Sequence, residues 1–270
     1  MTGPHPSPAD FYDPDLYELK LGPGPRVADL YLPLALEEGG PVLELGCGTG
    51  DVLLPLARAG IACCGIDLAP AMLARAATRI AAEDGATRAR LELVEAAMTD
   101  FALGRKFRQI FFTNDVIGHL LDNDALIAAF ARAAHHLLPG GRVIADVTAV
   151  EAAYLARARD PWAQAPRHRG RTALADGGRL DVYERTEYCE ETCRLTAHFR
   201  YERIEADGTI GRAWTRVLHL RPRHPEEIIL ALRLAGFPAP TCRPVARGAG
   251  DRAYLITARA PAGPGEDAPC

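Results

Sequence analysis

A short apolar run followed at once by three alternating glycines constrains the fold of this chain more than any other feature. The run spans Val42 to Leu45, the glycines are Gly46, Gly48 and Gly50, and apolar residues then recur at helical spacing over 49–59. Glycine permits a left-handed backbone and a close approach to a ligand, and a helix N-terminus presents free N–H groups. The unit therefore predicts a strand, a ligand-binding turn and a helix at the carboxyl edge of a parallel sheet.

The alternation of short apolar strands with helices continues through the first part of the chain. Predicted strands span 42–45, 61–66, 89–95, 107–113 and 142–147, and predicted helices span 30–38, 49–59, 70–82 and 122–138. Apolar strands that alternate with helices indicate a parallel sheet covered on both faces. Hydrophobic residues make up 48% of the chain and charged residues 24%, which suits a globular protein with a sizeable core.

The pattern changes after residue 158. Three longer segments show partial alternation and predict antiparallel strands, whereas the basic stretch 167–171 is interpreted as a loop. These segments span 180–189, 193–204 and 210–220, and they are followed by a predicted helix over 225–234 and a strand pair over 241–246 and 252–258. We therefore expect an α/β fold with an antiparallel β insertion before the last helix.

An acidic residue narrows the class of ligand. Asp67 ends the second predicted strand about 20 residues after the glycine turn, where an acid commonly binds ribose hydroxyls. A dinucleotide-binding turn has the pattern G-x-G-x-x-G, but Asp51 stands at the position of its third glycine. A nicotinamide-dependent oxidoreductase is therefore the less favoured interpretation.

The string Glu44-Leu45-Gly46-Cys47-Gly48-Thr49-Gly50 resembles the first motif of class I S-adenosylmethionine-dependent methyltransferases. Residues 65–73 resemble the second motif of that family, 137–141 its turn before the fifth strand, and 235–237 the A-G-F end of its late helix. The resemblance implies a Rossmann-like sheet, S-adenosylmethionine as the cofactor and methyl transfer as the reaction. Among enzymes that act on small molecules, the arrangement is similar to the amino-sugar and glycine/sarcosine N-methyltransferases.

The resemblance also implies a set of cofactor-binding residues in the loops at one edge of the sheet. Glu44 would lie near the methionine end of the cofactor, with a surface carboxylate as the alternative, and Asp67 would hold the ribose. The full set is Glu44, Gly46, Cys47, Gly48, Gly50, Asp67, Leu68, Met72, Ala97, Met98 and Asn114. Ala97 is a departure, because the family often has an acid there to accept the adenine amino group. The backbone of Ala97 and Met98, or the side chains of Glu95 or Asp100, are the alternatives.

The loop after the fourth strand, 113–120, is the expected place for catalytic groups. His119 titrates near neutral pH when unperturbed and is a candidate proton acceptor, with a role in shaping the loop as the alternative. Asn114 would orient the acceptor or contact the cofactor. Tyr17, with Tyr12, is a candidate lid residue, with simple anchoring of the N-terminal segment as the alternative. Methyl transfer from a sulfonium mainly needs alignment of donor and acceptor, so no metal is expected.

These interpretations divide the chain into five expected segments. They are an N-terminal lid and helix (1–40), a cofactor-binding core (41–158), an insertion over the acceptor pocket (159–222), the end of the core (223–260) and a disordered tail (261–270). Arginines of the insertion are candidates to bind an acidic group on the acceptor, with solvated charge opposite nearby glutamates as the alternative. They are Arg200, Arg203, Arg216 and Arg221.

Composition limits which partners the protein is expected to bind and in which compartment it is expected to act. The net charge of −4 disfavours nucleic acid, and no apolar run reaches the ~18 residues of a membrane span. The spacing of Cys189 and Cys193 completes no metal site, and scattered cysteines indicate free thiols in the cytoplasm. We expect N-methylation of a small-molecule amine. Exposed edges of the inserted sheet could pair two copies of the protein into a homodimer. O-methylation of a natural-product or carboxylic-acid acceptor and a non-catalytic S-adenosylmethionine-binding protein are the alternatives.

Overall fold

The chain divides into two compact units in a computed structural model that describes residues 11–18, 27–160, 165–246 and 252–261. One unit comprises Met1–Gly24 and Val150–Pro222, and the other comprises Pro25–Ala149 and Arg223–Cys270. We call them the inserted unit and the parallel-sheet unit. The first boundary follows Ala149 rather than residue 158, because the helix after it packs on the inserted strands. The expected tail beyond residue 261 lies outside the described residues.

The predicted helices and strands occur in the predicted order, together with additional elements. The helices are α1 (Pro14–Glu18), α2 (Val27–Glu38), α3 (Leu53–Arg58), α4 (Pro70–Ala81), α5 (Gly85–Arg88), α6 (Asn123–His136), α7 (Ala152–Ala158) and α8 (Pro225–Leu234), with a 3-10 turn over Val116–His119. The strands are β1 (Val42–Leu45), β2 (Cys63–Asp67), β3 (Leu91–Glu95), β4 (Phe107–Phe112), β5 (Leu137–Thr148), β6 (Arg167–Ala173), β7 (Arg179–Cys189), β8 (Arg194–Ile204), β9 (Ile210–Leu220), β10 (Thr241–Ala246) and β11 (Arg252–Arg259). The additional elements are α1, α5, α7 and β6. None of the helices that the structure describes is long and apolar enough to cross a bilayer.

The parallel-sheet unit contains a seven-stranded sheet in the order β10-β11-β5-β4-β1-β2-β3. Strands β1 to β5 run parallel, while β11 is antiparallel to both β5 and β10. Leu45 is level with Ile66 on one side and with Phe112 on the other. The loops after β1, β2 and β4 therefore start side by side at the carboxyl edge, where such sheets bind ligands.

Alternate residues of the central strands pack into two separate hydrophobic clusters. Leu43 and Leu45 belong to one cluster, which also contains Phe112. Val42 belongs to the other, together with Phe111. Because successive side chains of a strand point to opposite faces, this division places one cluster on each face of the sheet. The short apolar runs in the sequence are therefore strands buried on both sides, as predicted.

The inserted unit contains a four-stranded antiparallel sheet in the order β6-β7-β8-β9. Leu180, Val182 and Tyr201 form its small core, against which Leu16 of α1 packs. The Arg216 guanidinium donates to the Phe11 carbonyl oxygen at 2.8 Å and lies 3.2 Å from an Asp13 carboxylate oxygen. The described part of the N-terminal segment is thus anchored on the inserted sheet.

The α/β class with an antiparallel insertion before the last helix is confirmed, but three local predictions were wrong. The stretch 167–171 is part of β6 rather than a loop, because its backbone pairs with β7 although its side chains are polar. Helix α6 ends at His136, where Leu137 starts to pair with Phe107. Helix α3 begins at Leu53 and not at residue 49, because the glycine turn continues through 52.

A charged cluster joins Glu38, the last residue of α2, to arginines of β4, β5 and β11. The Glu38 carboxylate accepts hydrogen bonds from Arg108 at 2.7 Å and from Arg259 at 2.7 and 2.9 Å, and Arg142 lies 3.6 Å away. The hydrogen bond from Arg259, together with the positive charge of the three arginines, lowers the pKa of Glu38 to about 2. The ionised carboxylate therefore stabilises the folded state.

We predict that Glu38→Gln lowers the free energy of unfolding at pH 7 by on the order of 1–2 kcal/mol, after allowance for solvent screening of the exposed arginines. Because the folded pKa lies below the value of 4.5 in the unfolded chain, this contribution is present above pH 4.5 and is lost as the pH falls towards 2. Urea denaturation at pH 7 and pH 3 should show the difference between variant and wild type shrinking at the lower pH. Glu92→Gln, at an exposed pair with Arg105, is the control. A difference that stays constant with pH would contradict the prediction.

Candidate active site

The turn after β1 needs glycine at its three alternating positions. Gly46, Gly48 and Gly50 have φ angles of 73°, 54° and 82°, which side-chain-bearing residues rarely adopt. A Cβ on Gly46 would lie 2.2 Å from Cγ2 of Val116 in the loop after β4. The first glycine therefore allows these two loops to approach each other at the carboxyl edge of the sheet.

The N–H groups of this turn are largely used within the protein. The Gly46 and Cys47 N–H groups donate to the Ile66 carbonyl oxygen at 2.7 and 2.9 Å, and Gly50 donates to the Cys47 carbonyl oxygen at 2.9 Å. Gly48 donates to the Asp67 carboxylate at 2.8 Å. A pyrophosphate-binding turn instead directs free N–H groups at its ligand. The hydrogen bonding thus agrees with the sequence in disfavouring a dinucleotide.

Asp67 is held at the end of β2 by two backbone donors. One carboxylate oxygen accepts from Gly48 N and the other accepts from Ala69 N at 2.9 Å. Burial raises the pKa of Asp67 above its usual value, although both hydrogen bonds act in the opposite direction. Next to it, the Leu68 side chain is 44% exposed, whereas Met72 is buried. Asp67 is therefore oriented at the turn, with an accessible apolar side chain beside it.

Glu44 is a buried carboxyl and not a surface group. It is 2% exposed, and Thr113 donates to its Oε1 at 2.7 Å. Its Oε2 is buried and has no hydrogen-bond partner among the described residues. Burial raises the pKa of Glu44 to about 8. A buried carboxyl with an unused oxygen is costly in isolation, and a cationic ligand group such as an ammonium would satisfy it.

Two other residues predicted to bind the cofactor, Cys47 and Ala97, offer it no polar side chain. The Cys47 side chain is buried and lies against the space that Gly65 leaves, so Cys47 could meet a ligand only through its backbone. Ala97 bridges to Asp100, whose side chain is 84% exposed and pairs with Arg132 at 3.2 Å. That pairing identifies Asp100 as a solvated turn residue. The backbone near Ala97 and the exposed side chain of Glu95 are the remaining candidates to accept a hydrogen bond from the adenine amino group.

The loop after β4 begins with two residues in the left-handed region. Asn114 and Asp115 have φ angles of 57° and 58°. Their N–H groups donate to the two carboxylate oxygens of the fully buried Asp146, at 2.7 and 3.2 Å. The Tyr31 hydroxyl also donates to Asp146, and Asp115 accepts from Thr148 N at 2.7 Å. Asp146 therefore organises the start of the loop.

The end of the same loop is held by a buried arginine. Arg223 donates to the Leu120 carbonyl oxygen at 2.6 Å and to that of Asp122 at 2.7 Å. Between the two anchors lies the half-buried His119, and burial lowers the pKa of this imidazole to about 4. His119 is therefore neutral at pH 7. The sequence analysis missed Asp146 and Arg223, although a carboxylate inside the apolar run 142–147 is a signal for the first.

The predicted residues of the inserted unit are paired within that unit. Tyr17 lies on α1 with its ring 6.1 Å from that of Tyr12. Arg216 pairs with Asp13, Arg200 pairs with Glu202, and Arg203 pairs with Asp176 and Glu205. These ion pairs favour the interpretation of the three arginines as paired surface charge. No group of three or more metal-binding side chains occurs within the described ranges.

Comparison with known proteins relates part of the parallel-sheet unit to a known family. Residues 42–141 match the methyltransferase domain family. A stretch of 109 residues is 34% identical to dTDP-3-amino-3,4,6-trideoxy-alpha-D-glucopyranose N,N-dimethyltransferase of Streptomyces venezuelae, covering 40% of this chain and 43% of that protein. The match therefore spans less than half the length of this curated relative.

Two solved structures share the fold along most of the chain. The CcbJ methyltransferase from Streptomyces caelestis has a TM-score of 0.70 at 22% identity, covering 95% of this chain and 99% of that chain. CalS10, an amino pentose methyltransferase from Micromonospora echinaspora with S-adenosylmethionine bound, has a TM-score of 0.60 at 23% identity, covering 86% and 88%. These matches confirm the predicted resemblance to methyltransferases over residues 42–141 and the predicted fold class.

We predict that Asp146→Asn lowers the free energy of unfolding by about 1–3 kcal/mol, because an amide nitrogen would face a backbone N–H and leave it buried without an acceptor. Tyr31→Phe removes only one donor and should cost less. Asp100→Asn, at an exposed carboxylate, should change stability by less than about 0.5 kcal/mol. Urea denaturation at pH 7 measures all three. An equal effect of Asp146→Asn and Asp100→Asn would show that the loop does not depend on this carboxylate.

Proposed function

We propose that this chain, whose residues 42–141 match a methyltransferase domain within a class I methyltransferase fold, uses S-adenosylmethionine to methylate an amine of a small molecule. The observation that carries the proposal is the pair of carboxyl groups at the glycine turn. Asp67 is oriented by two N–H groups of the protein, and Glu44 has a buried oxygen without a described partner. Such a pair suits a ligand with a ribose at one end and an ammonium at the other.

In this proposal, different residues at the carboxyl edge bind different parts of the cofactor. Asp67 would accept from the ribose hydroxyls, and Leu68 would pack against the adenine with its exposed side chain. Glu44 would pair with the amino group, which favours the ionised carboxylate and lowers its pKa. The bound cofactor supplies a methyl group on a sulfonium sulfur. The protein's part is to align this methyl group with the acceptor and to exclude water.

The low pKa of His119 favours an amine over an alcohol as the acceptor. The acceptor amine would have to present a free lone pair to the methyl group that the cofactor supplies, and the ammonium that is formed would then release its extra proton to solvent. An imidazole with a pKa of about 4 is neutral and would accept a hydrogen bond from the amine N–H, which orients the lone pair. It would be a weak base towards an alcohol, so O-methylation is less favoured. The Streptomyces venezuelae relative is itself an N,N-dimethyltransferase.

The partners and location that we propose are those expected from the sequence. The acceptor is a small molecule, and neither nucleic acid nor a membrane is a partner. The protein acts in the cytoplasm, and two copies could pair through exposed sheet edges as a homodimer. The six described cysteines are free thiols, which agrees with a reducing compartment. A protein that binds the cofactor without turning it over is the second candidate, and a cofactor-consumption screen over amines, amino sugars, phenols and carboxylic acids separates the two.

We predict that calorimetry detects binding of S-adenosylmethionine and S-adenosylhomocysteine and detects none of NAD. Asp67→Ala should weaken binding of both cofactor forms by about 1.5–3 kcal/mol, or roughly 10- to 150-fold, the value of a hydrogen bond to a charged group. Glu92→Gln, at an exposed position, should leave the affinity unchanged. Tight NAD binding without S-adenosylmethionine binding would remove the proposal. An unchanged dissociation constant for Asp67→Ala would place the ribose contact elsewhere.

We predict that His119→Ala lowers kcat by roughly 2- to 10-fold, the value of one hydrogen bond of about 0.5–1.5 kcal/mol, with little change in cofactor affinity. The acidic limb of the pH–rate profile near neutral pH should survive, because it belongs to the acceptor amine, while a pKa of about 4 places the titration of His119 lower. Initial rates from pH 5 to 9 with an amine acceptor measure both. A fall of about 100-fold or more, with the acidic limb lost, would instead identify His119 as a general base.

A further inference from the structure

We infer that His136 is a positioning residue whose neutral imidazole holds the loop between β3 and β4 (96–106) in place to receive the adenine of the cofactor. Because it includes the cofactor, this inference rests on the proposed function. His136 is the last residue of α6 and is only 3% exposed. It belongs to the same unit of the chain as the glycine turn. The loop is the route by which this buried histidine can affect the cofactor.

The order of the strands places this loop next to the proposed ribose site. Strands β1, β2 and β3 are neighbours in that order, and the carboxyl ends of β2 and β3 are level because Asp67 pairs with Glu95. The loop begins at once, and its Ala96 N–H donates to the Asp67 carbonyl oxygen at 3.1 Å. The ribose carries the adenine on the side away from the amino group. With the amino group at Glu44 of β1 and the ribose at Asp67 of β2, as proposed, the adenine reaches the loop after β3.

The loop itself contains little regular structure. Ala97 and Asp100 form an isolated antiparallel bridge, in which the Asp100 N–H donates to the Ala97 carbonyl oxygen at 3.0 Å. Apart from this tight turn, the described chain forms no helix or strand between Glu95 and Phe107. The position of the turn that would meet the adenine therefore depends on side chains that hold the loop from outside.

Both ring nitrogens of His136 form hydrogen bonds, and together these bonds define one neutral tautomer. The Leu103 N–H donates to Nε2 at 3.3 Å, so Nε2 carries no proton. Nδ1 lies 2.8 Å from the Arg132 carbonyl oxygen, which can only accept, so Nδ1 carries the proton. The ring also packs on the buried ring of Phe101, with the two centroids 4.5 Å apart. His136 thus holds the loop at Phe101 and at Leu103.

Protonation of His136 would break its hydrogen bond to the loop. A proton on Nε2 would face the Leu103 N–H, and two donors cannot form a hydrogen bond with each other. The titratable and charged groups around the ring lie on α6 and on the loop, and they are His135, Arg132, Lys106 and Asp100.

The surroundings of the ring favour its neutral form. Burial lowers the pKa of His136 below its usual value of 6.5, and the nearby positive charges act in the same direction, although the hydrogen bond to the Arg132 carbonyl oxygen opposes them. The carboxylate of Asp100 pairs with Arg132 at 3.2 Å. His136 is therefore neutral at pH 7, and its protonation would release the loop only below pH 6.5.

Calorimetric titration of the full-length chain with S-adenosylmethionine at pH 7.5 and pH 5 tests the inference with two variants. In His136→Gln the amide oxygen can accept from the Leu103 N–H and does not titrate, whereas His136→Phe keeps a ring against Phe101 but offers no acceptor. At pH 7.5 we expect His136→Phe to bind roughly 2- to 10-fold more weakly than wild type, the value of one hydrogen bond. His136→Gln should bind about as tightly as wild type.

The pH dependence separates a neutral imidazole from any other structural role of this side chain. At pH 5 wild type should lose affinity relative to His136→Gln, up to the factor seen for His136→Phe. The comparison with His136→Gln removes the titration of Glu44 and of the cofactor itself, because both proteins share it. His135→Gln is the matched control, since His135 is the exposed neighbouring histidine, and it should follow wild type at both pH values.

Unfolding midpoints well above the titration temperature for every variant would exclude misfolding. Equal affinities of His136→Gln and His136→Phe, or the same pH dependence in wild type and His136→Gln, would overturn the inference.

Hydrogen exchange without cofactor distinguishes a failure of this inference from a failure of the proposed function. At pH 7.5, mass spectrometry should show faster exchange over 96–106 in His136→Phe than in wild type or His136→Gln. Unchanged exchange in His136→Phe, or faster exchange with unchanged S-adenosylmethionine affinity, would overturn the inference alone. If wild type binds no S-adenosylmethionine although exchange differs as expected, the proposed function is overturned, while the hold of His136 on the loop stands.

Discussion

The hydrogen bonds of one buried carboxylate, that of Asp146, determine the shape of the loop on which the candidate acceptor site depends. Asn114 and Asp115 both adopt left-handed backbone angles, and such residues cost of order 1–3 kcal/mol each unless the surroundings hold them. Asp146 holds them through both N–H groups, and Tyr31 holds Asp146. At the other end Arg223 binds two carbonyl oxygens of the loop. His119 is consequently presented on a segment that is anchored at both ends.

The glycine turn and the two acids beside it form a site of a different kind from a phosphate-binding loop. Backbone carbonyls and Asp67 already accept from the turn's N–H groups. Glu44 contributes a carboxyl oxygen that is buried beside Thr113 and has no described hydrogen-bond partner. An edge with used donors and an unused acceptor suits a cationic ligand better than a polyanion. The electrostatics of this edge therefore fit the cofactor that we propose better than a dinucleotide.

Arginines of the inserted sheet are largely paired with carboxylates of the same unit. Most of the described pairs are closed by carboxylates of the same sheet, as at Asp181. The β-bulge in β6 falls at Arg169, and there too the guanidinium pairs with a carboxylate of the neighbouring strand, Glu184, at 2.8 Å.

The sequence by itself determined the order of strands and helices, the glycine turn and the acid of β2, because each depends on periodicity or spacing within a short window. It did not determine β6, whose polar residues form a strand only because β7 offers a partner. Nor did it determine the roles of Glu44 and Asp146. Burial sets the pKa of Glu44, and the hydrogen bonds of Asp146 reach across 31 and 32 residues to the loop and across 115 to Tyr31. Tertiary structure alone decided these roles, since both desolvation and long-range hydrogen bonds exist only after the chain has folded.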